Sequence, residues 1–150
     1  MKNLYEAATV EQVQKRIGLL KADNKPQWGS MNPAQAMAHC SIAMEWALGE
    51  VRPPRLFLGR IVGGIIKSKV VGDDAPMRRN SPTAKTLIVA DQRDLEKEQN
   101  RLCGLVGRFG SAGPAACTKH SHSFFGPLKP EEWAILMYKH LDHHLRQFGV

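Results

Sequence analysis

Residues 130–148 read PEEWAILMYKHLDHHLRQF, and their periodicity sets the fold class. Trp133, Met137, His140, His144 and Phe148 recur at steps of four, three, four and four, which places them on one stripe of an α-helix. Pro130 suits the first helical turn, and Glu131 and Glu132 suit the positive end of the helix dipole. The stripe is apolar apart from its two histidines, so both are expected to point into a helical core.

Three more segments carry helical periodicity. TVEQVQKRIGLL has Val10, Val13, Ile17 and Leu20 at helical spacing, with Thr9 and Gln12 in the capping-box pattern. MNPAQAMAHCSIAMEWALGE offers Asn32 as N-cap, Pro33 in the first turn, Gln35 to complete a capping box and Gly49 as terminator. DQRDLEKEQNRLCGLVGRF has Asp91 as a candidate cap and Leu95, Leu102, Leu105, Val106 and Phe109 as its apolar face. No convincing alternating strand appears. The expected architecture is all-α: one domain over 1–150, a four-helix bundle with a short extra helical or loop insertion between the second and third of these helices. RLFLGRIVGGIIKSKVV, in that insertion, reads either as a short helix over one end of the bundle or as a surface-seeking amphipathic segment. GDDAPMRRNSPTAKT reads as a loop.

Composition narrows the function classes. The net charge is +7, yet residues 52–79 hold seven basic residues and two acidic ones, 7 − 2 = +5 of that total. With no helix-turn-helix, zinc-finger or aromatic-basic interleaving beside it, this is read as a solvated basic insertion, and no nucleic-acid partner is expected. Cys40, Cys103 and Cys117 are odd in number and scattered, which argues against a disulfide framework and fits a reducing cytoplasm. MKNLYEAATVEQ lacks an apolar run ahead of a cleavage site, and no segment is apolar for the ~20 residues that a membrane helix needs. The expected location is cytoplasmic, with no membrane span.

The histidines carry the chemistry. His140 and His144, an i, i+4 pair, can place two imidazoles on one metal ion. His39, on the second helix, is a lone polar group among Gln35, Ala36, Ile42 and Ala43, and facing helices of a bundle can bring it to the pair. A buried histidine is also an ordinary core residue with one satisfied hydrogen bond. Three buried together without a shared partner are expensive, which favours a shared metal. Zinc, nickel or iron(II) suits three neutral imidazoles and leaves positions for water or substrate. Cys40 adjoins His39 but points about 100° away around the helix. His122 is placed as an outer group or proton shuttle, His143 lies at the edge of the stripe, and His120 reads as an exposed loop residue.

MNPAQAMAHC and HSFFGPLKPEEWAILMYKHLDHHLRQFGV together resemble the DinB-like (YfiT-like) superfamily, and most of all a bacterial branch of it known only as a domain of unknown function. The likeness covers the second helix and residues 122–150. It implies a four-helix bundle whose metal is held by His39, His140 and His144. It further implies a metal-dependent enzyme acting on a small molecule, either a transferase using a low-molecular-weight thiol or a hydrolase. In that setting His122 or His143 would move the proton, and Arg146 or Gln147 would orient a polar group at the bundle mouth. The chain departs from the pattern at Ser123, where proline is usual and whose presence should loosen the loop that aims His122. It departs also at Lys129, which replaces a capping threonine at a cost of about 1 kcal/mol. The alternative is a non-catalytic metal-binding or dimerisation module, since apolar residues including Trp28, Trp46 and Trp133 permit a homodimer interface.

Overall fold

The computed structural model describes residues 1–150 as an all-helical chain with no strand. Its helices are α1 (Ala7–Gly18), α2 (Pro33–Leu48), α3 (Phe57–Val71), α4 (Leu95–Ala112) and α5 (Pro130–Gln147), with 3-10 turns at Lys85–Leu87 and Pro114–Ala116. No helix is long and apolar enough to cross a membrane.

Local chemistry explains the ends of α2. The Asn32 side chain accepts from the Gln35 backbone N–H at 2.9 Å, and the Gln35 side chain accepts from the Asn32 N–H at 3.1 Å. Gly49 closes the helix at φ +77°, a left-handed conformation that glycine adopts without a Cβ penalty. The caps of two other helices differ from the sequence expectation. Thr9 lies inside α1, where its hydroxyl donates to the Glu6 carboxylate at 2.9 Å, and Glu6 occupies the N-cap position. Asp94, rather than Asp91, caps α4 by accepting from the Lys97 N–H at 3.0 Å. Asp91 pairs instead with Arg93 at 2.9 Å. At α5 the Lys129 side chain has no acceptor to offer, but Glu132 reaches back to the Lys129 N–H at 2.8 Å and supplies half of a capping box.

One apolar core draws on α1, α2, α4 and α5. Val13 and Ile17, Met37 and Met44, Leu102 and Phe109, and Trp133 and Leu141 all belong to it. Each large apolar side chain buried there contributes roughly 1.5–3 kcal/mol. Trp46 and Trp133 are plain core residues, 3% and 1% exposed. Arg16 on α1 pairs with Asp142 on α5 at 2.7 Å.

The insertion between α2 and α4 is a full helix of 15 residues. α3 adds only Val71 to the core. Its Gly59 and Gly63 back directly onto the 122–126 loop, where an added Cβ at either would overlap the Phe124 carbonyl oxygen. The Leu56 N–H donates to Ser123 O at 2.9 Å, and Arg55 donates to His122 O at 2.7 Å.

Candidate metal centre

α2 and α5 bring His39, His140 and His144 together. One ring nitrogen from each lies within 4.8 Å of those of the other two. His39 and His144 are buried and His140 is partly exposed. The closest approach, His39 Nε2 to His140 Nε2, is 2.9 Å. Two imidazole nitrogens on one tetrahedral ion at about 2.05 Å would lie about 3.3 Å apart, so the spacing suits a shared cation.

Partners outside the cluster fix which nitrogen of His39 and of His144 faces inward. His39 Nδ1 lies 2.8 Å from Leu87 O. A carbonyl only accepts, so Nδ1 carries the proton and Nε2 presents a lone pair. Gln147 Nε2 donates to Trp28 O at 2.6 Å, which turns Gln147 Oε1 toward His144 Nδ1 at 2.9 Å. His144 is therefore protonated at Nδ1, with Nε2 left free. This arrangement, a ligand imidazole donating its other N–H to an oxygen, orients and strengthens metal ligands. His140 Nδ1 is buried with no hydrogen-bond partner. If His140 Nε2–H donates to His39, the orphan is a lone pair. If Nδ1 holds the proton, two lone pairs face each other at 2.9 Å and only a cation between them relieves the repulsion.

Burial also keeps these rings neutral. It lowers the pKa of His39 and, with help from the neighbouring imidazoles, takes His140 well below the ordinary value. His144 is lowered to about 3, by burial first and then by His39. Three neutral imidazoles at neutral pH are the protonation state that a divalent transition metal requires.

The other histidines stand around this group. His122 lies outside it, its ring 5.4 Å from that of Trp133 and 5.8 Å from that of Trp46. Its Nδ1 accepts the Phe124 and Phe125 N–H groups at 3.1 and 3.2 Å, so its proton sits on Nε2. Reciprocal backbone bonds between His122 and Gly126, at 2.9 and 3.1 Å, close the loop. The looseness expected from Ser123 is not seen: Ser123 is buried and its carbonyl is taken by Leu56. His143 packs edge-on against His144 with ring centroids 5.1 Å apart, and its Nε2 faces the Trp28 indole N–H at 3.4 Å. His120 is exposed.

Two residues expected at a bundle mouth do other things. Arg146 is exposed and pairs with Asp142 at 2.8 Å; both line a cleft of about 460 Å³ with Tyr138 and Met77. Gln147 holds His144. Its position three residues after His144 is the only trace of that role in the sequence. Leu87 O, a backbone atom, leaves none.

A family model described as "Protein of unknown function (DUF1569)" matches residues 3–149. The chain belongs to the DUF1569 family. No curated protein and no solved structure matches it, and the family match does not link it to the DinB-like superfamily.

Two expected results follow from the geometry. Gln147→Leu removes the acceptor that orients His144 and lowers metal affinity by about 10–100-fold; calorimetric zinc titration against wild type measures it. The second concerns acid. Burial, and then the nearby Arg55, lower His122 to about 4 in the folded protein, against an unfolded value of about 6.5. The unfolded chain therefore binds the extra proton first. The stabilisation is complete above pH ~6.5 and is lost as pH falls through ~4, on the order of 3 kcal/mol from this group. Denaturant unfolding of His122→Gln should show a shallower acid limb than wild type. Equal limbs would contradict the neutral, buried His122.

Proposed function

We propose that the chain is a metal-dependent enzyme built on a DinB-like four-helix bundle of α1, α2, α4 and α5, with a divalent zinc, nickel or iron ion held by Nε2 of His39, His140 and His144. The observation that supports this best is the convergence of three neutral imidazoles, two of them with Nδ1 tied to oxygen acceptors and the third with Nδ1 orphaned. A cation there supplies Lewis acidity, from which a thiol or water becomes a nucleophile at neutral pH. The reaction class is transfer to or from a low-molecular-weight thiol, or hydrolysis, on a small-molecule substrate.

The remaining roles fall to this chain's own groups. His122, neutral with Nε2–H free of the loop bonds, is the proton-handling residue, and its two backbone donors hold the ring in place. His143 is the second such residue; the Trp28 indole already occupies its Nε2, so it takes part only when that bond yields. Trp46 and Trp133 beside His122 keep water from its ring.

The test is a screen of the zinc-, nickel- and iron-loaded protein for thiol conjugation and for ester and amide hydrolysis, with His144→Ala and His122→Gln beside it. Turnover that vanishes in the first and falls by about 10²–10⁴-fold in the second, with metal content unchanged in the second, supports the enzyme. Metal-loaded protein inert throughout, and still folded after metal removal, supports the non-catalytic module.

A further inference from the structure

α3 turns a row of large apolar side chains outward. Phe57, Leu58, Ile61 and Ile65 are 79%, 61%, 62% and 67% exposed, and their spacing puts them on one face. The opposite face, with Gly59 and Gly63, is the one seated on the 122–126 loop. The outward face is therefore not a mispacked core surface, since the helix is already fastened on its other side. Contiguous exposed apolar patches of this kind mark interaction surfaces.

Charge decides what covers it. α3 contains no carboxylate. Arg60 lies one turn from Phe57, and Lys69 one turn from Ile65; both are exposed, and neither has an ion-pair partner. Arg52 and Arg78, exposed on either side of the helix in sequence, are also unpaired. Of the two acidic residues of the segment, Asp73 is engaged by Lys139 at 3.5 Å. Pairing this face with itself in a second copy would set Arg60 and Lys69 against their own like charges with no anion between. A surface that is apolar within and negatively charged at its boundary matches it.

We propose that α3 is a docking helix for an anionic lipid surface, lying in the headgroup plane with Phe57, Leu58, Ile61 and Ile65 inserted and Arg60 and Lys69 on lipid phosphates. At about 1.5 Å per residue the helix offers a contact roughly 22 Å long. Because Gly59 and Gly63 clamp it to the loop that carries His122, the attachment holds the chain by the same element that closes over that loop.

The experiment is co-sedimentation of the full chain with vesicles of phosphatidylcholine alone, and of phosphatidylcholine with an equal part of phosphatidylglycerol, at low and high salt. Binding is expected only to the anionic vesicles and should fall with salt. Arg60→Gln with Lys69→Gln should weaken it roughly 30-fold, and Ile61→Asp with Ile65→Asp at least as much. Leu19→Asp, at an exposed apolar site capping the C-terminus of α1 (55% exposed), should leave it unchanged. All of these positions are on the surface, so circular dichroism and unfolding midpoints should match wild type. Absence of binding to anionic vesicles at low salt overturns the proposal, as does binding insensitive to the α3 substitutions. A dimer in sedimentation equilibrium that Ile61→Asp dissociates would also overturn it, by showing that a second copy covers the face.

Discussion

Zinc added to metal-depleted protein at about a thousand times its dissociation constant should raise the free energy of unfolding by about 4 kcal/mol, which moves the thermal midpoint up by roughly 8–16 °C for a chain of this size. The gain arises because the folded chain holds three imidazoles together and the unfolded chain does not. His39 is anchored through Leu87 O and His144 through Gln147, and burial keeps all three rings unprotonated. His144→Ala should abolish the shift, because two remaining imidazoles bind far more weakly. Each variant is compared with itself, with and without zinc, so any direct effect of the substitution on stability cancels. A midpoint that stays put in wild type, or rises equally in His144→Ala, contradicts the site.

Gly63→Val should destabilise the chain from a position outside the cluster. A Cβ there overlaps the Phe124 carbonyl oxygen, backbone that cannot swing aside as a side chain can. α3 must lift from the loop, which strains the Leu56–Ser123 and Arg55–His122 hydrogen bonds together. The expected loss is about 1–3 kcal/mol, read by urea unfolding, with faster amide exchange at residues 122–126. Gly64→Ala, one position on, faces open space and should stabilise by up to about 1 kcal/mol through helix propensity. Opposite signs at adjacent glycines would be hard to obtain unless α3 packs as described. Equal effects would contradict that packing.

What could be read from sequence follows the physics of each element. α2 and α5 were legible because a cap, a proline and a periodic apolar face coincide, and the histidines interrupt faces that are otherwise apolar. His39, His140 and His144 meet where two such faces cross. α3 was ambiguous because glycine disfavours helix in isolation, whereas here Gly59 and Gly63 are needed for close approach to a loop far away in sequence. The start of α4 slipped by one cap because Asp91 and Asp94 carry equal local signals, and only tertiary packing chooses between them. The Lys85–Leu87 turn, inside a stretch read almost wholly as loop, supplies the carbonyl that orients His39. Such a partner is invisible in side-chain patterns, since every residue has a carbonyl.

On the proposed reading His39, His140 and His144 share one metal ion. The direct measurement is the transition-metal content of protein purified without an affinity tag or added metal, for wild type and for His140→Ala. His140 is the informative position because its Nδ1 has no partner and its Nε2 faces His39 at 2.9 Å. Near-stoichiometric zinc, nickel or iron in wild type, absent from a folded His140→Ala, is the expected result. A wild-type protein that carries no metal and takes none up on titration would contradict it.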